Sequence, residues 1–138
     1  MENKVKVTIP YSPRYPQTEI HPQLETHRFN VLVTHRQMGK TVCAINHILQ
    51  MAITNKRKKC RYFYVAPFRN QAKMIAWDYL KRFTRPISLA THPKTGAKLN
   101  LLKINEQELS ITVGDQFTVT VCGADNPDAL RGTYADGV

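Results

Sequence analysis

The residues whose order carries the most chemistry are Gly39, Lys40 and Thr41. A glycine, a lysine and a hydroxyl residue in that order close the loops that hold nucleotide phosphates. Such a loop wraps successive backbone N–H groups around the phosphates, and the helix behind it adds the partial positive charge of its N-terminus. Lys40 would reach the β- and γ-phosphates as a point charge, and Thr41 would offer its hydroxyl to Mg2+. The triplet alone is weak, since average residue usage produces it by chance in roughly one chain of this length in fifteen. Its setting is more telling. Residues 28–42 read RFNVLVTHRQMGKTV, an apolar run followed by the triplet at the head of a helical pattern. The glycine that should open the loop, four intervening residues earlier, is Thr34. A β-branched residue tolerates positive φ poorly, so the loop entry is expected to be extended.

Positioning this loop requires a strand before it and a helix after it. Val31, Leu32 and Val33 predict a short buried strand within residues 28–34. A helix follows from about Lys40 to about Asn55, because Val42, Ile45, Leu49 and Ala52 recur at helical spacing and Ile48 and Ile53 widen the stripe. Residues 61–66, RYFYVA, predict a second buried strand closed by Pro67. A second helix is expected over 70–83, its apolar face formed by Ala72, Ile75, Ala76, Tyr79 and Phe83, with Trp77 in the core. This order argues for an α/β fold with parallel βαβ pairing. Beyond Pro86 the pattern changes to short alternating runs at 99–104, 109–113 and 117–122, split by Asn105-Glu106-Gln107 and by Gly114-Asp115. Those turn residues predict an antiparallel meander. Residues 1–27, polar and rich in proline, read as an extended lead-in.

A chain of 138 residues, 42% hydrophobic and 22% charged, suits one globular domain. No apolar run approaches the roughly 20 residues that span a bilayer, and the N-terminus, with Pro10, Pro13 and Pro16, shows no signal-peptide pattern. Three cysteines without CxxC spacing suggest neither a disulfide framework nor a zinc site and fit a reducing, intracellular setting. The five histidines show no metal spacing, and His35 is expected to be exposed. A net charge of +10 favours phosphate-rich partners, nucleic acid first.

Residues 34–41, THRQMGKT, resemble the variant Walker A loop of tailed-phage terminase large subunits, where the first glycine is often replaced. Three further stretches resemble the same family in order: YSPRYPQTEI at 11–20, YVAPFRNQAKMIAWDYL at 64–80 and GADNPDALRGTYADGV at 123–138. The resemblance implies a P-loop NTPase fold with a parallel βαβ core at 28–85 and a β-meander insertion at 86–138. It implies ATP and Mg2+ as ligands, with nucleotide contacts from Arg14, Gln17, Thr34, His35, Arg36, Gln37, Met38, Gly39, Lys40 and Thr41. Gln17 would take the adenine edge, an amide having a donor and an acceptor to match N7 and N6. Arg36 and Arg131 would be the catalytic arginines, Arg131 as a finger donated to a neighbouring subunit.

The family's Walker B Asp-Glu pair has no counterpart here, since that strand should begin at Val138, and the nuclease domain is likewise missing. The chain is therefore expected to be the N-terminal part of a motor ATPase, inactive alone. The implied partners are double-stranded DNA, a portal protein, the small terminase subunit and further copies in a homo-oligomeric ring, with no membrane. The implied place is the cytoplasm of an infected host cell, at the procapsid portal.

Plainer readings stand beside these. Gln17 could be a solvated residue of the lead-in, Arg36 a coupling or structural residue, and Arg131 a surface arginine beside a turn. Lys56, Arg57, Lys58 and Lys59 read better as a solvated helix cap than as a DNA contact, because a helix C-terminus favours cations. Two other functions compete: a helicase-like P-loop ATPase, which should show its acidic strand soon after the second helix, and a non-catalytic basic nucleic-acid-binding module that ignores ATP.

Overall fold

Among the described residues four strands form one mixed sheet in the computed structural model: β1 (Cys60–Ala66), β2 (Leu102–Asn105), β3 (Ser110–Val113) and β4 (Phe117–Gly123). The structure describes residues 9–36, 39–90, 94–97, 100–125, 127 and 134–138. The strand order is β1-β4-β3-β2. β4 runs parallel to β1 with Cys60 opposite Phe117 and Ala66 opposite Gly123, and the β2–β3–β4 run is an antiparallel meander. The helices are α1 (Gln17–Thr26), α2 (Lys40–Thr54), α3 (Arg69–Ala72) and α4 (Asp78–Ser88), with a π-helical turn at Lys73–Trp77 joining the last two.

The sheet's apolar face follows from the two-residue period of its strands. Phe117, Val119 and Val121 of β4 are buried while the residues between them are only half-buried. Register brings Ile111 beside Val119 and Val113 beside Phe117, so β3 continues the same face. Onto it α2 delivers Ile45, Leu49 and Ala52, and the third helical stretch delivers Ala76, Trp77, Leu80, Phe83 and Ile87. At 25 cal/mol per Å2 of apolar surface, each large side chain buried here contributes about 1.5–3 kcal/mol. Trp77 is nearly inaccessible, and its indole Nε1–H donates to Glu106 Oε2 at 2.8 Å. Lys81 reaches the other oxygen of the same carboxylate at 3.2 Å. Those two bonds, the indole's first, hold the Glu106 carboxyl below its usual pKa.

Five expectations are corrected. The strand predicted over 28–34 does not form, and Val31 and Val33 are 92% and 88% exposed. β1 therefore takes β4 as its parallel partner on one side. On its other edge Gly137 makes a parallel bridge to Tyr62, and Phe63 N–H donates to Gly137 O at 3.0 Å. The lead-in is not extended throughout, because residues 17–26 form α1. Tertiary contacts stabilise that helix: His21 meets His47 and Glu25 accepts from Gln50, both on α2. The second helix reaches Ser88 and passes through Pro86, with Ile87 buried beyond it; packing outweighs the one hydrogen bond a proline removes. Within it the π turn shifts the phase, so that Ala76 and Trp77 are both buried while Ile75 is 44% exposed. Ile53 likewise faces solvent at 45%.

Residues 56–59 are all exposed, as a solvated cap should be, and two of them also pair with other side chains. Arg57 donates to Tyr134 Oη at 2.5 Å and pairs with Asp136 at 3.3 Å, while Lys58 lies 3.7 Å from Asp115. Asp136 also accepts from Arg61 N–H at 2.9 Å. Gly137 fits because a Cβ there would fall 2.8 Å from the Tyr62 ring.

Candidate functional site

Gly39 caps the N-terminus of α2 in the left-handed conformation, with φ 86° and ψ 36°. Only glycine reaches that region without cost. A Cβ on Gly39 would also sit 2.8 Å from Gln17 Nε2 and 3.6 Å from an Arg14 guanidinium nitrogen. The residue is therefore held by conformation and by crowding together. With no side chain at the cap, the first N–H groups of α2 receive no side-chain hydrogen bond. A 15-residue helix leaves such donors open with its partial positive end behind them.

Lys40 bends back along the loop. Its Nζ donates to Thr34 O at 2.9 Å and to His35 O at 3.4 Å, so the ammonium lies over the extended loop entry. Thr34 Oγ1 is buried and has no hydrogen-bond partner among the described residues. Thr41 is half-buried in the first turn of α2, and His35 and Arg36 are exposed. Gln37, Met38 and Arg131 lie outside the described residues.

Gln17 is not the solvated residue of the plainer reading. It is 4% exposed, and its side chain bridges the lead-in to the loop. Nε2 donates to Gly39 O at 3.1 Å, and Oε1 accepts from Arg14 N–H at 3.2 Å and from Tyr11 Oη at 3.4 Å. Beside this bridge opens a cleft of about 310 Å3, lined by Pro10, Tyr11, Ser12, Arg14, Gln17, Gly39, Val42 and Phe83. Its walls combine apolar surface from Val42 and Phe83 with the polar groups of Arg14 and Gln17. Among the described residues no carboxylate lines it.

The sequence reading missed what stands behind Gln17. Tyr11 Oη lies 2.7 Å from His21 Nε2, and His21 Nδ1 lies 3.0 Å from His47 Nδ1. Cys43 Sγ approaches His21 Nε2 at 3.7 Å, and the two imidazoles stack with centroids 5.2 Å apart. Burial pushes the Tyr11 hydroxyl up to about 12, with the Cys43 thiol beside it adding to the rise. Burial lowers His21 and His47 from the usual imidazole value, His47 further through its neighbour His21, and raises the Cys43 thiol. At neutral pH the group is therefore uncharged. Its members are up to 36 positions apart, at 11, 21, 43 and 47, with no recurring spacing to expose them. Among the described residues no group of His, Cys, Asp and Glu side chains is arranged to hold a metal ion.

Among the described residues no helix is long and apolar enough to cross a membrane. Comparison of the chain with protein-family models, with curated proteins and with solved structures gives no match.

Proposed function

We propose that the chain is the ATP-binding part of a P-loop NTPase of the terminase large-subunit kind, a motor that packages double-stranded DNA. The observation that carries this reading is the uncapped N-terminus of α2, opened by left-handed Gly39 with Lys40 folded over the loop and a half-apolar cleft alongside. The buried, unpartnered Thr34 hydroxyl and the cradle that a Cβ on Gly39 would fill suit a bound triphosphate. Lys40 would exchange the Thr34 and His35 carbonyls for phosphate oxygens. Such charge-assisted contacts are roughly twice as strong as neutral ones. Thr41 would hold Mg2+, which neutralises phosphate charge when bound. Val42 and Phe83 would flank the base, with Arg14 beside it.

The parallel bridge of Gly137 to Tyr62 supports a further parallel strand beside β1, as a P-loop fold requires. Arg36, exposed at the loop, and Arg131 are the two arginines proposed to act on the transferring phosphate, Arg131 across a subunit interface. The partners proposed with this motor are DNA, the portal, the small subunit and other copies of the chain, at the procapsid portal in the host cytoplasm.

Calorimetric titration of Mg·ATP into the chain tests the reading. Saturable binding that Lys40→Ala removes is expected. Equal affinity in the two proteins would overturn the loop assignment, and DNA binding with no response to ATP would favour a basic nucleic-acid-binding module.

A further inference from the structure

The cleft beside Gly39 has walls of different origin. The lead-in supplies Pro10, Tyr11, Ser12, Arg14 and Gln17, while α2 and α4 supply Val42 and Phe83. Tyr11 meets the Phe83 ring edge-on, with centroids 6.1 Å apart. Further along α1, side chains tie that helix to α2. His21 Nδ1 lies 3.0 Å from His47 Nδ1, Cys43 Sγ lies 3.7 Å from His21 Nε2, and Gln50 donates to Glu25 Oε1 at 2.8 Å. Of these groups only the two imidazoles titrate near neutral pH.

The paired Nδ1 atoms set a limit that does not depend on tautomer. A hydrogen bond between two ring nitrogens contains one hydrogen, whichever ring supplies it, so one Nδ1 of the two is bare. Charging one ring satisfies that condition as well as charging neither. Charging both puts a hydrogen on each Nδ1, and two donors then face each other across 3.0 Å. The rings also stack, with centroids 5.2 Å apart and planes 21° from parallel, so the second charge arrives beside the first. Glu25 is the charged group that acts on both rings, and its carboxylate favours their charged forms. Tyr11 on the lead-in and Cys43 on α2 stay neutral, since burial raises both.

We propose that His21 and His47 form an acid-operated latch that holds α1 on α2 while at least one ring is neutral and opens when both carry a proton. Opening slackens the lead-in wall of the cleft, so nucleotide affinity falls in acid. The link to affinity rests on the nucleotide reading of the cleft, and the release of α1 does not. Burial lowers both imidazoles, His47 further through His21, and so delays opening until the pH is below their ordinary range. Gln17 carries the release to the loop, since the same helix places its side chain on Gly39 O at 3.1 Å.

Amide hydrogen exchange of the chain between about pH 8 and pH 5, corrected for the intrinsic pH dependence of exchange, tests the latch. Protection at Leu24, Glu25 and Thr26 should fall about tenfold toward the acid end, with Val119 and Val121 in β4 unchanged. In His47→Gln the partner of His21 cannot be charged and its amide can face either form of the ring, so α1 protection should stay flat. His21→Gln gives the mirror test should the first variant not fold. Flat protection in the unaltered chain, or an equal fall in the glutamine variants, would overturn the latch. Titration with Mg·ATP at about pH 7.5 and 5.5 then reads the cleft, and affinity should drop about tenfold more in the unaltered chain than in His47→Gln. An equal drop in both, with α1 released, would overturn the link from latch to cleft. Failure of ATP to bind at the higher pH would instead overturn the nucleotide reading, while the exchange result still decides the latch.

Discussion

Along β3 and β4 the inward side chains Ile111, Val113, Phe117, Val119 and Val121 are apolar and nearly inaccessible, whereas the described residues between Thr26 and Gly39 are held by a few polar contacts and leave Val31 and Val33 in solvent. The two regions respond to change differently. Apolar burial is roughly proportional to area and has no direction, so the sheet side gains by packing more atoms together. The loop side is held by directed bonds: Gln17 to Gly39, and Lys40 to the carbonyls of Thr34 and His35. Directed bonds can be exchanged for others of equal strength when a ligand arrives. A region proposed to close on phosphates is better held in that way than by a packed core.

Substitution at the two regions should separate them. Trp77→Ala is the largest expected break, because it empties a fully buried site between α4 and the meander. A loss of about 3–5 kcal/mol in stability is expected by denaturant unfolding. Gly39→Ala comes next. It forces a Cβ into the left-handed region and onto Gln17 Nε2, 2.8 Å away. A loss of about 2 kcal/mol is expected, together with loss of ATP binding in a chain that still folds. A Gly39→Ala chain of unchanged stability would show that the Gln17 bridge adds little.

Acid should act more gently, first on the loop side and, below the ordinary carboxylate range, at Glu106 on the sheet side. The folded-state pKa values of His21 and His47 lie below the unfolded value, mainly through burial. Their contribution is thus fully present above the unfolded value of about 6.5 and is lost as pH falls through the depressed folded values. Unfolding midpoints should be flat from about pH 8 to 7 and decline below about 6.5, with a shallower decline in His47→Gln. Glu25, whose charge opposes the lowering at both rings, limits the effect.

The same division governs what could be read from the chain. α2, β1 and the meander were legible because their periods of 3.6 and 2 are local, and so was the head of α2 at Gly39-Lys40. Val31-Leu32-Val33 misled, since an apolar run states a preference for burial but not whether a strand edge is free to pair. The bridge of Gly137 to Tyr62 is a contact between residues 75 positions apart, which no local window contains. α1 was hidden by its prolines, and what orders it, His47 and Gln50, lies on another helix. Gln17 was legible as a candidate through resemblance. Its bonds to Tyr11, Arg14 and Gly39 were not, because the fold alone brings those groups together.

The backbone amide resonances of the chain during titration with Mg·ATP test a phosphate site at the head of α2 most directly. The predicted result is a set of saturable shifts concentrated at Gly39, Lys40, Thr41, Val42 and the Gln17 side-chain amide, and absent from Lys40→Ala. Saturable shifts confined to residues 56–59, with residues 39–42 unmoved, would contradict it.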